Sequence, residues 1–483
     1  MATKEALART LERINADPGA PRADSTEAYW QKPPHALENV QSEHLPGFTD
    51  IVIIGSGIAG CSVAKELLAL DSNIKIMLLE ARTITSGATG RNGGHIATHP
   101  AIDYSELVDH VGKDEAKKIC QFRLAHYDMI YDDLKNIGDE LLGPSEIRRV
   151  VAVCGLLDEA KVESMKGTKE RLETDWPEIK GRIKIYEKKD SGFEEFKMSG
   201  VAGVAVELSG AVWPYRMITS IFDHLLSNYP DRFTIETQTP ATAVTPLTNS
   251  GDYKYEVMTA RGPIKTKQVA YCTNGYTGHI LPKLRGKLFP VRGHMSVQRP
   301  GQLFPRLGNE RSWSVLWDTV GLDYITQNGK TGELFYGGGL VRGKDDGLDS
   351  IGNPRDDEED VHNKIHLAGA LPVFFGKENW GKDSEDGPRM KSTWTGVMGF
   401  TADGLPLVGK LPGSITERNG DGEWIAAGFN GYGMPNSWGC GKALARLMLG
   451  KDVGNEFPES YFINEERFGQ MNGEKGVKAM FGI

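Results

Sequence analysis

The sequence predicts an α/β protein in which a Rossmann-like nucleotide-binding domain, discontinuous along the chain, carries a second, α+β domain. Three observations lead there. Residues 50–60 run as an apolar strand into a glycine turn and a helix. Residues 78–82 (Leu-Leu-Glu-Ala-Arg) close that unit with a second strand and an acid. Strand-like runs at 233–236, 242–245, 255–259 and 269–273 follow a first excursion, and a second excursion precedes two late glycine clusters.

Ile51, Val52, Ile53 and Ile54 form a continuous β-branched run, the pattern of a parallel strand covered on both faces. Gly55 permits a tight turn, Gly57 lets a pyrophosphate approach the backbone, and Gly60 lets the helix over 61–70 pack on the strand. The candidate phosphate site is therefore Gly55, Ser56, Gly57, Ile58, Ala59 and Gly60, with the free N–H groups of a helix start behind it. Glu80, twenty residues after Gly60, stands where a carboxylate accepts ribose hydroxyls, and Ala81 and Arg82 adjoin it.

A chain of 483 residues is long enough for two domains or one elaborated domain. A net charge of −9 without a basic block argues against nucleic acid as a partner. No run of eighteen apolar residues exists, so no membrane span is expected. The first seventeen residues are charged and helix-prone, unlike a secretory or transit segment. The five cysteines (61, 120, 154, 272, 440) show neither metal spacing nor a disulfide framework. An intracellular, cytoplasmic setting and no metal site are the expectation.

In chain order, residues 1–47 read as a short helix and a proline-rich arm lying over the body. The loop Ser86, Gly87, Ala88, Thr89, Gly90, Arg91, Asn92, Gly93, Gly94, His95 is too glycine-rich for a strand and offers backbone N–H groups to an anion or a polar ring edge. Residues 104–140 repeat apolar positions at helical spacing and read as core or interface. A strand at 146–155, a helix at 158–174, a strand near 200–206 returning to the first sheet and a helix at 215–228 follow. The second excursion holds strands at 312–317, 323–326 and 333–337 and a helix at about 356–370, whose acidic start (356–360) is expected to be solvated. The glycine clusters at 394–409 and 424–434 lead into a helix at 438–449 and suit a second polar part of a long cofactor.

Four separated stretches, 50–60, 78–82, 86–94 and 424–434, together resemble the FAD-dependent amine and amino-acid oxidases of the D-amino-acid oxidase, glycine oxidase and sarcosine oxidase superfamily, over about residues 48–450. The 86–94 loop is most similar to the γ-glutamylputrescine oxidase branch, and the whole chain with its arm resembles a fungal member. The resemblance implies FAD on the first glycine turn and Glu80, with the 86–94 loop against the isoalloxazine. It implies adenine near Val244, and the turn of Gly428, Asn430, Gly431, Tyr432, Gly433 and Met434 over the flavin's pyrimidine edge. It further implies an FAD-binding domain over 48–103, 196–273 and 392–460. A substrate domain built on an antiparallel sheet would take 104–195 and 274–391, with a tail over 461–483.

Two departures bear on substrate. Met398 occupies the slot where glycine-oxidase-like members place a carboxylate-binding Arg, and Pro435 the slot of the sarcosine-oxidase-like Lys. With Gly396 where the covalent type has a Cys nearby, FAD is expected to be non-covalent. The reaction implied is oxidation of a primary or secondary amine to an imine that hydrolyses to a carbonyl, with oxygen reduced to hydrogen peroxide. Amino-acid oxidation, a flavin dehydrogenase using another acceptor and a non-catalytic flavin-bound scaffold are the competing readings. His95 is the first candidate for contact with flavin or substrate, against a structural loop His. Arg91 neutralises a reduced ring or an anion, or forms a structural ion pair. Tyr432 borders the substrate pocket. Arg292 and His294 lie near the ring or face the domain interface, and Tyr324 and Trp394 are aromatic walls or core. Oligomeric state is left open.

Overall fold

The computed structural model describes residues 4–248, 251–317, 321–418 and 420–482. Within them the chain builds two sheets. In the first, the order is Leu407–Lys410, Glu423–Ala427, Gly262–Tyr271, Phe48–Ile54, Ile76–Leu79 and Phe233–Glu236, with the hairpin Ala241–Pro246 and Tyr255–Thr259 joined through Gly262–Tyr271. Its central strands are parallel and in register, Ile54 standing level with Leu79 on one side and Tyr271 on the other. Their carboxyl ends therefore deliver Gly55, Glu80 and Cys272 to one edge, the place where open α/β sheets bind ligands. The helices Ile58–Leu70 and Ser437–Met448 pack together, and Ser62 Oγ donates to the Trp438 carbonyl at 2.6 Å.

The second sheet runs Met390–Thr401, Leu288–Gln298, Leu334–Gly337, Leu322–Gln327, Arg311–Leu316, Arg148–Leu156, Gly203–Ala211 and His95–Ile96, with Lys184–Glu187 on Gly203–Ala211. It is antiparallel as expected except where Arg311–Leu316 meets Arg148–Leu156 in parallel. Gly203–Ala211 was expected to return to the first sheet. It instead pairs with Arg148–Leu156 in the second, because Val153↔Val206 and its neighbours complete that sheet's buried face. Met390–Thr401 belongs to the second sheet as well, so the expected boundaries at 196 and 392 do not follow sheet membership.

Conversely, the helices Lys113–Leu124 and His126–Ile137 share a core with the nucleotide unit. Ile119, Phe122, Ile130 and Leu134 cluster with Val63 and Leu67, and Asp133 binds Lys65 at 2.9 Å. The helix expected from 356 begins later, as Val361–Phe375, because Asp360 is its N-cap and accepts from the His362 amide at 2.8 Å. Nor is the acidic run wholly solvated. Glu358 is exposed, but Asp356 is buried against Arg82.

The amino-terminal segment forms the helix Lys4–Asn15 and then an arm that docks on the body. Trp30 stacks on Phe335 at 3.7 Å between ring centroids and meets Trp213 edge-on, closing an aromatic cluster of its own. No helix among the described residues is long and apolar enough to cross a membrane.

Candidate active site

A cavity of about 510 Å³ runs from the carboxyl ends of the first sheet to the face of the second. Its nucleotide end is built by the glycine turn. Gly55 has φ +112, and a Cβ on Gly60 would fall 2.0 Å from the Gly55 carbonyl oxygen, so only glycine lets the helix start sit this close to the strand. Glu80 Oε2 accepts from the Ser56 amide (3.2 Å) and hydroxyl (2.6 Å), and Oε1 accepts from the Arg82 amide (2.9 Å). These bonds orient the carboxylate at the cavity wall and leave Oε1 a lone pair for one further donor. Thr89 Oγ1 accepts from the Ile58 amide at 3.0 Å, tying the 86–94 loop to the helix start.

That loop is a 3₁₀ turn over Ala88–Gly90, closed by Asn92 donating to the carbonyls of Ala88 (3.2 Å) and Thr89 (3.1 Å). The arm lies on its outer side. Trp30 Nε1 donates to the Asn92 carbonyl, and Gln31 Nε2 to those of Ser86 (3.3 Å) and Gly90 (3.2 Å). Arg91, a candidate for neutralising an anion, is instead spent inside the protein. Its Nε donates to the Ser86 carbonyl (2.7 Å), Nη1 to the carbonyls of Thr26 (2.7 Å) and Thr395 (2.8 Å), and Nη2 to Ser25 Oγ (2.6 Å). Burial and the neighbouring Arg82 push its pKa down to about 10. Its reading is the structural one.

At the other end His95, Tyr324, Arg292, His294 and Tyr432 meet on the cavity. His95 is bonded through Nε2 to Ser312, and burial, His99 and Arg148 push its pKa down to about 3, so the ring is neutral. It is enclosed by protein yet keeps accessible surface because its ring borders the cavity. Tyr432 stacks against Arg123, 4.6 Å from guanidinium to ring centroid, and Arg123 binds Asp103 at 2.7 Å. Asp103 and burial raise the Tyr432 phenol, and burial with Asp323 raises Tyr324, so both stay protonated. Arg292 is paired with Asp349 at 3.1 Å, and His294 Nε2 accepts from the Asp360 amide at 2.9 Å. Burial and Arg292 push His294 down to about 4.

Of the predicted cofactor residues, the wall includes Gly55, Ser56, Gly57, Ile58, Ala59, Glu80, Ala81, Arg82, Gly87, Ala88, Thr89, Arg91, Asn92, Gly93, Asn430, Gly431, Tyr432, Gly433 and Met434. Gly60, Ser86, Gly90, Gly94 and Gly428 stand behind it; the Gly428 amide donates to Asn274 Oδ1 at 3.0 Å and so holds the late turn. Two expectations are corrected. Val244 packs in the core with Val52 and Val257, and the wall near Glu80 is Thr239, Pro240 and Ala241 instead, because Val244 faces the core beyond the start of the hairpin strand. Trp394 is buried in the cluster of Trp30 and Phe335, donating to the Arg91 carbonyl at 2.8 Å, and is not a cavity wall.

Sequence reasoning passed over His99, Asn274 and Tyr276 on the wall and Arg123 and Glu207 behind it. A signal existed for one of them: Glu207 is an acid on the inward-facing register of an apolar strand. Among the described residues no His/Cys/Asp/Glu group is arranged to hold a metal ion.

Residues 50–447 match the family model described as DAO, FAD dependent oxidoreductase. The chain is 23% identical over 408 residues to the gamma-glutamylputrescine oxidoreductase of Escherichia coli (strain K12), covering 83% of this chain and 84% of that one. Among solved structures it resembles the glycine oxidase of Geobacillus kaustophilus (TM-score 0.63, 16% identity, 87% of this chain and 99% of that one). It also resembles the L-proline dehydrogenase of P. horikoshii (TM-score 0.64, 19% identity, 89% and 100%). The two relatives whose full source is given are bacterial, and the expected fungal-type assignment gains no support from them. The glycine cradle at Gly55 and Gly60, the acceptor capacity of Glu80 and a cavity continuous to Tyr432 fit FAD.

Proposed function

The chain belongs to the FAD-dependent oxidoreductase family, and on that premise we propose that it oxidises the C–N bond of a primary or secondary amine to an imine. The observation that carries this reading is the charge balance of the wall. Arg82 is paired with Asp356, Arg91 is bonded throughout to carbonyls and Ser25, Arg292 is paired with Asp349, and Arg123 behind Tyr432 is paired with Asp103. Met398 and Pro435, both on the wall, put apolar groups at the two positions where the family's carboxylate anchors were expected. A substrate carboxylate would lack a strong partner here, whereas a neutral amine is suited to an apolar, aromatic pocket.

Bound FAD supplies the two-electron oxidation. The chain's part is to hold it, through the 55–60 turn, Glu80 and the 86–94 loop, and to orient the C–H bond against it with Tyr324, Tyr432 and Met398. The Cys272 thiol on the wall is pushed up to about 12 by burial, which keeps it protonated and supports non-covalent retention. Oxygen as acceptor and peroxide as product complete the reading.

The test is anaerobic bleaching of the flavin's visible band across amines, polyamines and α-amino acids. Amines bleach it in this reading. Bleaching by amino acids alone overturns it. One peroxide per imine on admitting oxygen supports the oxidase form, and its absence with full turnover on an artificial acceptor removes it.

A further inference from the structure

Four residues after His95, His99 borders the same cavity, and its Nδ1 lies 2.8 Å from Glu207 Oε1. Both side chains are enclosed, at 9% and 2% exposed. The other ring nitrogen, Nε2, meets the Ser314 hydroxyl only at 3.4 Å, too long for a strong bond. Glu207 Oε2 has no hydrogen-bond partner among the described residues, so His99 is the one group bonded to this buried carboxylate. The titratable neighbours are His95, which interacts with His99, and Cys120 and Cys154, which interact with Glu207. Arg148 lies beyond His95.

Other titratable groups on the wall suit this task less, and burial holds Cys272 and Tyr276 protonated. His95 is bonded to Ser312 through Nε2 and His294 Nε2 is filled by the Asp360 amide. Glu80 holds Ser56 and the Arg82 amide at the nucleotide end, and His279, bonded to Asp17 of the arm, stands beside the hairpin strand Ala241–Pro246 on that same side. Tyr324 and Tyr432 are protonated phenols.

An amine reaches the site mostly as its ammonium, which has no lone pair to release during C–H cleavage. We propose that His99, backed by Glu207, is the proton acceptor that turns the bound ammonium into free amine; this rests on the amine-oxidation reading above. One N–H bond of the ammonium breaks, one N–H bond forms at His99 Nε2, and the electron pair stays on the substrate nitrogen. The Glu207 carboxylate, bonded to Nδ1, offsets the imidazolium charge, which makes it a positioning residue.

The experiment is the pH profile of kcat/KM, and of anaerobic flavin reduction, for the FAD-loaded protein and for His99→Gln, Glu207→Gln and Glu207→Asp with one bleaching amine. In His99→Gln, kcat/KM at pH 7 falls about 100- to 10,000-fold and rises tenfold per pH unit up to the substrate's own amine pKa. In Glu207→Gln the acid limb moves about one to three pH units lower, and Glu207→Asp restores most of it. An unchanged acid limb in His99→Gln overturns the proposal. If that variant does not hold FAD, an unmoved limb in Glu207→Gln does so equally. Failure of every amine to bleach the unsubstituted protein removes the amine reading itself, and this one with it, before any variant is made.

Discussion

Asp356 and Arg82, 274 positions apart, form a buried ion pair with Oδ2 2.8 Å from Nη1. It joins the second residue after Glu80 to the segment that precedes the helix Val361–Phe375. Arg91 Nε stands 3.8 Å from the same oxygen, so one carboxylate balances two enclosed guanidiniums. Asp356→Asn leaves both without their counter-charge and is expected to cost about 3–5 kcal/mol. Urea unfolding checks it, and a change below about 1 kcal/mol refutes the claim that this pair is a structural keystone.

Gly60→Ala tests the cradle. Its Cβ would be pressed against the Gly55 carbonyl, a backbone atom that cannot swing away. The expected product is a colourless protein, or one holding FAD at least about tenfold more weakly, read by flavin fluorescence on titration. A yellow protein of unchanged affinity would show that the turn does not carry the pyrophosphate.

The arm makes its own prediction. Trp30 is 4% exposed, stacked on Phe335 and bonded to the loop through Asn92. Trp30→Ala is expected to lower stability by about 3–5 kcal/mol. It should also speed flavin release, because the 86–94 loop loses its outer support. Unchanged release with lowered stability would confine Trp30 to packing.

Acid lability follows from three histidines. Burial pushes His126 and His294 down to about 4 and His95 to about 3, from the ordinary 6.5. Between those values and 6.5 the unfolded chain binds protons that the folded one refuses. Stability therefore rises with pH across that window and is lost as pH falls through it. Each contributes about 1.4 kcal/mol per pH unit. His126 is the clearest case, with Nδ1 against the Phe122 carbonyl and Nε2 accepting from the Gly439 amide at 3.0 Å. The urea midpoint followed from pH 7 to 4.5 should flatten in His126→Gln, and an unaltered slope would show that His126 titrates normally in the folded protein.

Much of this was legible in the sequence because it rests on local rules. The 51–54 strand and the close helix–strand approach at Gly60 depend on strand burial and backbone clearance within one unit, and they emerged as read. Pairings between distant segments left no such mark. Gly203–Ala211 has the same alternation whichever sheet it joins, and only its partner Arg148–Leu156 decides. The sequence leaves Arg91 between an anion partner and a structural role because the groups that consume it, at 25, 26 and 395, lie far along the chain. Val244 lies three positions beyond the wall residue Ala241, past an irregularity in the hairpin that the sequence does not mark.

The arm's seats have an order in time. Asp17 binds His279 and Arg285, the Thr26 amide donates to the Asp356 carbonyl at 2.7 Å, and the Thr395 amide donates to Thr26 Oγ1 at 2.9 Å. These seats lie 262 to 369 positions after the arm residues they hold, so each is synthesised on the order of tens of seconds later. Trp30 and Gln31 meet Asn92, Ser86 and Gly90 within about 60 positions, whereas the seats of Asp17 and Thr26 are made much later, so the arm docks in two stages.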